Sequence, residues 1–201
     1  MKYAIFSEVQ GNYEALRRFF NQVSGRVDKY LCLGDIVQNG ISFEDNLCAD
    51  LVRKNECITV RGNHEDRVLE NVEVSRKKIF PQNLDFLASL PSERVVENNY
   101  FLTHAPSDKR IISLEQAREE LIKFNLEIGF FLYGHSHKPK IFSKDKKGIV
   151  RQEKLSYGTK YLPTDLQYMI NPGGVGLYYG LPQTYMIFDD HSRELNFMRV
   201  R

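Results

Sequence analysis

Residues 56–65 read Glu-Cys-Ile-Thr-Val-Arg-Gly-Asn-His-Glu, a short apolar run that leads directly into Gly62-Asn63-His64-Glu65. The β-branched and apolar content of residues 56–60 predicts a buried strand, and the polar motif begins where that strand ends. The same arrangement recurs in four other places, where predicted strands at residues 2–6, 29–33, 100–103 and 128–133 lead into Ser7-Glu8, Gly34-Asp35, His104 and Gly134-His135-Ser136-His137. Because ligands of open α/β sheets bind outside the carboxyl ends of the strands, we expect these motifs to meet in space.

Helical patterns separate the early strands. Apolar residues at helical spacing follow Asn12, a suitable N-cap, and predict a first helix over residues 13–23. A second helix is predicted around residues 47–52, and Ser113 with Gln116 forms a capping box ahead of a third. The later part of the chain is mostly strand-like, with strands at residues 141–144 and 149–155 around a hairpin turn, and further strands at residues 168–170, 184–188 and 194–200. With no repeat and no linker, residues 1–201 are expected to form a single domain.

Four of the motif residues form a metal-binding set. Asp35, Asn63, His104 and His135 offer one carboxylate, one amide oxygen and two imidazoles, a mixture suited to manganese, iron or zinc. A second ion would share Asp35 as a bridging carboxylate and take His137, two residues after His135. Two ions about 3.5–4 Å apart can activate a water molecule and clamp the oxygens of an in-line displacement at phosphorus. The pattern therefore indicates hydrolysis of a phosphoester.

The chain resembles the calcineurin-like metallophosphoesterase superfamily, in particular its small single-domain prokaryotic members. The likeness rests on Gly34-Asp35, Gly62-Asn63-His64-Glu65, His104, Gly134-His135-Ser136-His137 and Asn171-Pro172-Gly173, in the family's order and approximate spacing. It implies an α/β fold, a four-layer αββα sandwich of two mixed β-sheets flanked by helices. It also implies that Asp35, Asn63, His104, His135 and His137 are metal ligands. His64 would face the phosphate instead, where it stabilises the transition state or protonates the leaving oxygen.

The first motif departs from this family. Glu8 and Gln10 stand where the family has an aspartate and a histidine, so both changes fall on the same metal position. Glu8 keeps the charge but adds a methylene, and Gln10 replaces an imidazole nitrogen with an amide oxygen, which suits magnesium, calcium or manganese better than zinc or iron. We expect both residues to be ligands of a metal position that binds its ion more weakly, prefers a harder ion, or is empty. For Gln10, holding a water or a neighbouring loop is an equal alternative.

The phosphate is expected to contact Asn12, Asn63 and His64, with Asn12 also capping the first helix. Basic residues near the motifs either steer an anion or are simply exposed charge; they are Arg61, Lys109, Arg110, Lys138 and Lys140. The expected cofactors are one or two divalent ions, from among manganese, iron, zinc and magnesium.

The composition limits the partners. A net charge of +2 argues against an extended nucleic-acid surface but is compatible with a small phosphorylated substrate. No apolar run approaches the roughly 20 residues of a membrane span, and no secretory leader is recognised, so we expect a cytoplasmic protein that does not enter the membrane. Cys32, Cys48 and Cys57 lack metal-site spacing and are expected to be buried thiols. The oligomeric state is left open.

Two classes of function compete. The first is a metal-dependent hydrolase acting on a phosphomonoester or phosphodiester, favoured because a fold retained only as a scaffold has no chemical need for His64. The second is a catalytically impaired binding or scaffold module on the same fold. Residues 177–182, Leu-Tyr-Tyr-Gly-Leu-Pro, would be its candidate apolar patch, although a packed loop is the simpler interpretation of that segment.

Overall fold

The computed structural model describes residues 1–40, 42–75, 78–124, 128–176 and 180–201. Half of the apolar candidate patch, residues 177–179, lies outside these ranges. The helices of the described residues are α1 (Tyr13–Val23), α2 (Phe43–Lys54), α3 (Asn63–Glu70), α4 (Val72–Ser75), α5 (Pro81–Ser89) and α6 (Leu114–Lys123). The strands are β1 (Lys2–Phe6), β2 (Lys29–Cys32), β3 (Ile58–Thr59), β4 (Glu93–Val96), β5 (Tyr100–Thr103), β6 (Phe130–Tyr133), β7 (Lys140–Lys144), β8 (Val150–Gln152), β9 (Gly158–Tyr161), β10 (Gln167–Asn171), β11 (Thr184–Asp189) and β12 (Glu194–Arg199).

In the described part of the chain these strands form two mixed six-stranded sheets. The first has the order β3-β2-β1-β11-β12-β9 and the second β4-β5-β6-β10-β7-β8. Strands β1, β2 and β3 run parallel, as do β5, β6 and β10, and the other pairings are antiparallel. Helical crossovers join the parallel pairs β1–β2, β2–β3 and β5–β6, as the alternation of strand-like and helical patterns predicts. The parallel strands β6 and β10 are instead connected through β7, β8 and β9.

Three apolar layers hold the architecture together. One lies between the first sheet and helices α1 and α2, and includes Phe6, Phe19 and Tyr185. The central layer lies between the two sheets, where Tyr3 and Tyr100 contact each other across the interface. A third layer packs α6 against the outer face of the second sheet. The predicted four-layer αββα sandwich is therefore confirmed.

Local signals explain where the elements begin. The Asn12 side chain accepts a hydrogen bond from the Ala15 amide at 3.0 Å and caps α1, and Ser113 with Gln116 forms the expected capping box of α6. Strand β3 keeps only two ladder residues of the five predicted, because it is the sheet's edge and has one neighbour. Helices α3, α4 and α5 and strands β4 and β9 were not predicted. No helix among the described residues is long and apolar enough to cross a membrane.

Candidate metal centre

The loops that follow β1, β2 and β6 turn through left-handed backbone conformations. Glu8, Gln10, Asp35, His135 and His137 all have φ between 48° and 64°. Residues with a Cβ rarely adopt this region, at a cost of about 1 kcal/mol or more each. Backbone hydrogen bonds hold the turns in place, including Glu8 N–H to the Gly34 carbonyl at 3.2 Å and Gln10 N–H to the Asp35 carbonyl at 2.9 Å. The loops after β1 and β2 are therefore held together by these hydrogen bonds, and their side chains point to one edge of the sandwich.

The loop after β6 approaches the loop after β1 so closely that a side chain at Gly134 would force one of the two loops to shift. A Cβ at Gly134 would lie 2.4 Å from Ser7 Oγ and 2.9 Å from Glu8 Oε1, well inside van der Waals contact. The glycine of the Gly-His-Ser-His motif thus lets the second sheet's motif reach the first sheet's motif.

Asp35, His104 and His135 form one compact group of potential ligands. One ligand atom from each lies within 4.8 Å of the others. His104 Nε2 is 3.4 Å from Asp35 Oδ2 and 3.0 Å from Asn63 Oδ1. His104 Nδ1 lies 2.7 Å from the Leu33 carbonyl, and because a carbonyl can only accept, this nitrogen carries the hydrogen. The neutral ring therefore turns the Nε2 lone pair toward two oxygen acceptors, an arrangement that needs a proton or a cation between them.

The charges of this group fit a metal ion. Burial disfavours the charged form of His104, but the carboxylates of Glu8 and Asp35 outweigh it and raise the pKa of His104 to about 10. Burial also acts to raise the pKa of Asp35, yet His104 and His64 hold it below its usual range. Burial lowers the pKa of His135 to about 4, which leaves that ring neutral and able to coordinate. A divalent cation would take the place of the proton on His104, with Leu33 orienting the ring from behind.

The second predicted position holds Glu8, Gln10 and His137 in mutual contact. Glu8 Oε2 lies 3.1 Å from His137 Nε2, and Gln10 Nε2 lies 3.2 Å from the same nitrogen. Glu8 Oε1 accepts hydrogen bonds from the His135 amide and from the Ser7 hydroxyl, the latter at 3.1 Å. Burial raises the pKa of Glu8 to about 8. The longer side chain is thus folded back against the backbone, as the extra methylene requires.

His64 stands at the mouth of the group, at the start of α3. Its Nδ1 donates to the Gln38 carbonyl, which leaves Nε2 3.8 Å from Asp35 Oδ2. Asp35 Oδ1 accepts the His64 amide at 3.0 Å, so this carboxylate caps α3 while its other oxygen faces His104. A cavity of about 200 Å³ opens beside these residues and is lined by Gln10, Asp35, Gln38, Asn63, His64, Arg67, Arg110, His135 and His137.

The motifs agree with a known family. The calcineurin-like phosphoesterase family model matches residues 1–139 of the chain, which is more than half of it. The chain belongs to the calcineurin-like phosphoesterase family. An uncharacterized protein of Methanocaldococcus jannaschii is 31% identical over 217 residues, which cover 98% of this chain and 86% of the relative.

Solved structures show the same likeness. A metallophosphoesterase from Sphaerobacter thermophilus is 27% identical, with a TM-score of 0.79 over 100% of this chain and 89% of its own. A hypothetical protein from Pyrococcus horikoshii, 14% identical, shares the fold with a TM-score of 0.66 over 100% of this chain and 88% of its own. The calcineurin-like phosphoesterase family implies divalent metal ions, and Asp35, His104 and His135 provide a candidate site for them.

Three residues of this calcineurin-like phosphoesterase support the centre without having been assigned a role from the sequence. The buried Glu65 carboxylate accepts backbone amides of Asp35 and Gly62, both at 2.8 Å, and two more amides from residues 36 and 37 at 2.7 and 3.1 Å. Asn171 donates to the Gly134 carbonyl at 2.6 Å and to Ser136 Oγ at 3.1 Å. Arg67 lines the cavity next to His64. Glu65, three residues after Gly62 in capping-box spacing, was the one readable signal.

The structure also shows where Asn12 and the five basic residues near the motifs lie. The Asn12 side chain is engaged in capping α1, and its contact with phosphate stays a prediction. Among the five basic residues near the motifs, Arg61 pairs with Asp66 at 2.7 Å and Lys109 with Glu119 at 3.6 Å. Arg110 is the one of the five that lines the cavity beside the histidines.

Proposed function

We propose that this phosphoesterase hydrolyses the phosphomonoester or phosphodiester bond of a small substrate with a metal-activated water molecule. The observation that carries the proposal is the convergence of Asp35, Asn63 and His104 acceptors on one point, next to His135 and to a cavity that His64 also lines. Water attacks phosphorus, the bond from phosphorus to the leaving oxygen breaks, and that oxygen departs with a proton.

The residues divide between two ion positions in this proposal. Asp35, Asn63, His104 and His135 hold one divalent ion, from among manganese, iron, zinc and magnesium. Glu8, Gln10 and His137 share Asp35 with a second position, which is weaker because an amide replaces an imidazole and Glu8 also bonds the His135 amide. When bound, the ions supply an activated water and neutralise charge on the phosphate.

The hydrogen bond at Nδ1 of His64 determines which form of the ring can donate a proton in this proposal. Because Nδ1 donates to the Gln38 carbonyl, the neutral ring has only a lone pair at Nε2. Donation of a proton to a leaving oxygen therefore requires the imidazolium form, with the proton held at Nε2 on the cavity side. Loss of that proton restores the neutral ring without breaking the bond to Gln38. In this proposal Asn63 and His64 contact the phosphate from the N-terminus of α3, and Asn12 is a third predicted contact.

The test combines metal content with hydrolysis. Metal bound per chain is measured by elemental analysis after loading with Mn²⁺, and turnover is followed with p-nitrophenyl phosphate and bis(p-nitrophenyl) phosphate. His135→Ala should lose metal and activity, whereas His64→Ala should keep metal and lose activity. His191→Ala is the matched control, because this fifth histidine lies on the β11–β12 turn, away from the cavity. A natural chain that binds no metal and hydrolyses neither ester would refute the enzyme and favour the binding-module class.

As part of the same proposal, residues 1–201 act as one domain in the cytoplasm. The three cysteines are free, with Cys32 and Cys48 buried, as suits a reducing compartment.

A further inference from the structure

Two arginines share the cavity with the candidate ligands. Arg67 lies on α3, one turn after His64, and its Nη1 is 3.5 Å from His64 Nε2. Arg110 follows the 3₁₀ turn at Pro106–Asp108 and lines the same cavity together with His135 and His137. Arg67 thus comes from the helix that follows the first sheet's β3 and Arg110 from the loop that follows the second sheet's β5, and both line the cavity beside the histidines.

Neither of these arginines has a carboxylate partner within 4 Å among the residues that the structure describes. Their basic neighbours in sequence do have partners: Arg61 is paired with Asp66 and Lys109 with Glu119. The carboxylate that lines the cavity, Asp35, is engaged by the His64 amide and by His104. Two uncompensated guanidinium groups beside one cavity are therefore available for an anion that comes from outside.

The size and charge of the cavity limit that anion. Its volume of about 200 Å³ is below the roughly 300–1,000 Å³ of sites that enclose a drug-sized ligand, so it suits a phosphoryl group whose alcohol remains outside. Arginine binds phosphate oxygens through paired N–H groups, and two arginines can bind more than one oxygen. A phosphomonoester carries close to two negative charges at neutral pH and three terminal oxygens. A phosphodiester carries one charge and two terminal oxygens, and its second ester group would have to sit against a guanidinium.

We propose that Arg67 and Arg110 form a clamp on the terminal phosphoryl oxygens that makes this site select phosphomonoesters over phosphodiesters. The inference rests on the proposed function and names its substrate class. The ions would hold the oxygens nearest Asp35, and the arginines the terminal oxygen that a diester lacks. The products are then inorganic phosphate and a free alcohol.

The experiment compares Arg67→Gln and Arg110→Gln with the natural chain and with Arg17→Gln, a matched control on the exposed face of α1. For each protein, kcat/KM is measured with p-nitrophenyl phosphate and with bis(p-nitrophenyl) phosphate. Loss of a charge-assisted hydrogen bond should lower the monoester value about 10- to 100-fold. The diester value should change by less than about threefold, because that interaction is absent from its transition state. Equal losses for both esters, or a natural chain that prefers the diester, would overturn the clamp.

A binding measurement separates the clamp from catalysis. Calorimetric titration with inorganic phosphate and with dimethyl phosphate is run on the Mn²⁺-loaded and the metal-free protein. Each arginine variant should bind inorganic phosphate about tenfold more weakly or worse, with unchanged Mn²⁺ content. Unchanged phosphate affinity in both variants would refute the clamp even if the esters are hydrolysed. If neither ester is hydrolysed, the proposed function fails, while the phosphate titration still decides whether these arginines bind phosphate.

Discussion

Replacement of Glu65 by alanine should destabilise the fold and release the metal centre together. The carboxylate accepts four buried amides, from residues 35, 36, 37 and 62, so alanine leaves all four without an acceptor. At about 1 kcal/mol for each orphaned N–H, the free energy of unfolding should fall by at least about 4 kcal/mol. Against a total of 5–15 kcal/mol typical of domains this is a large share, and it corresponds to a Tm lower by about 8–16 °C for a chain of this length.

Urea unfolding followed by circular dichroism gives the stability, and elemental analysis gives the bound Mn²⁺. Burial raises the pKa of Glu65 to about 7. Glu65→Gln keeps one acceptor oxygen, which can serve two of the four amides, so it should recover part of the loss. Glu14→Gln, at an exposed residue of α1 paired with Arg17, is the control and should leave the urea midpoint almost unchanged. An alanine variant within about 1 kcal/mol of the natural chain would refute this account of Glu65.

Three further outcomes are expected. Asn171→Ala should lower the unfolding free energy by about 3 kcal/mol, at about 1 kcal/mol for each of its bonds to Gly134, Ser136 and Gly173, and equal urea midpoints would contradict this. Gly134→Ala should cost about 1–3 kcal/mol in the same assay because its Cβ would overlap Ser7 Oγ, and a variant of natural stability would show that the two loops can separate freely. Burial raises the pKa of Cys32, Cys48 and Cys57. Iodoacetamide at pH 8, followed by mass spectrometry, should therefore label these thiols slowly in the native protein and quickly in urea. Fast labelling of the native protein would disprove this expectation.

The strands that carry the motifs were predictable because they are short apolar runs with a polar residue directly after each one. Helix α1 was equally readable from its N-cap and its apolar spacing. Helix α3 was not, because its buried residues are only Glu65 and Val68, too few to show a helical period. Helix α5 does carry a helix-start signal, a proline at its first position, and its buried Leu84 and Leu87 follow at helical spacing.

Within the site, the sequence indicated which side chains would meet but not how each would be held. The left-handed backbone at Glu8 has no local signal, and the signal at Asp35 and His135 is weak, since aspartate and histidine are enriched in this region but still adopt it uncommonly. The four amides that bind Glu65 and the two groups that bind Asn171 come from distant segments, so only the folded chain reveals them. The proposed role of Arg67 could not be predicted either, because it depends on the cavity that Arg67 lines in the folded chain.

Restoring the family's aspartate and histidine in the altered first motif should lower the stability of the fold and increase metal binding. Residues 8 and 10 have positive φ, a region that aspartate and histidine tolerate better than most residues, so Glu8→Asp with Gln10→His suits the backbone. The shorter carboxylate gives up its bond to the His135 amide, which should cost about 1.5–3 kcal/mol of stability. Histidine replaces an amide that is a poor ligand for zinc or iron, so bound metal should rise toward two ions per chain. If the double variant has unchanged stability and unchanged metal content, Glu8 does not stabilise the His135 loop, and Glu8 and Gln10 do not weaken the binding of the second ion.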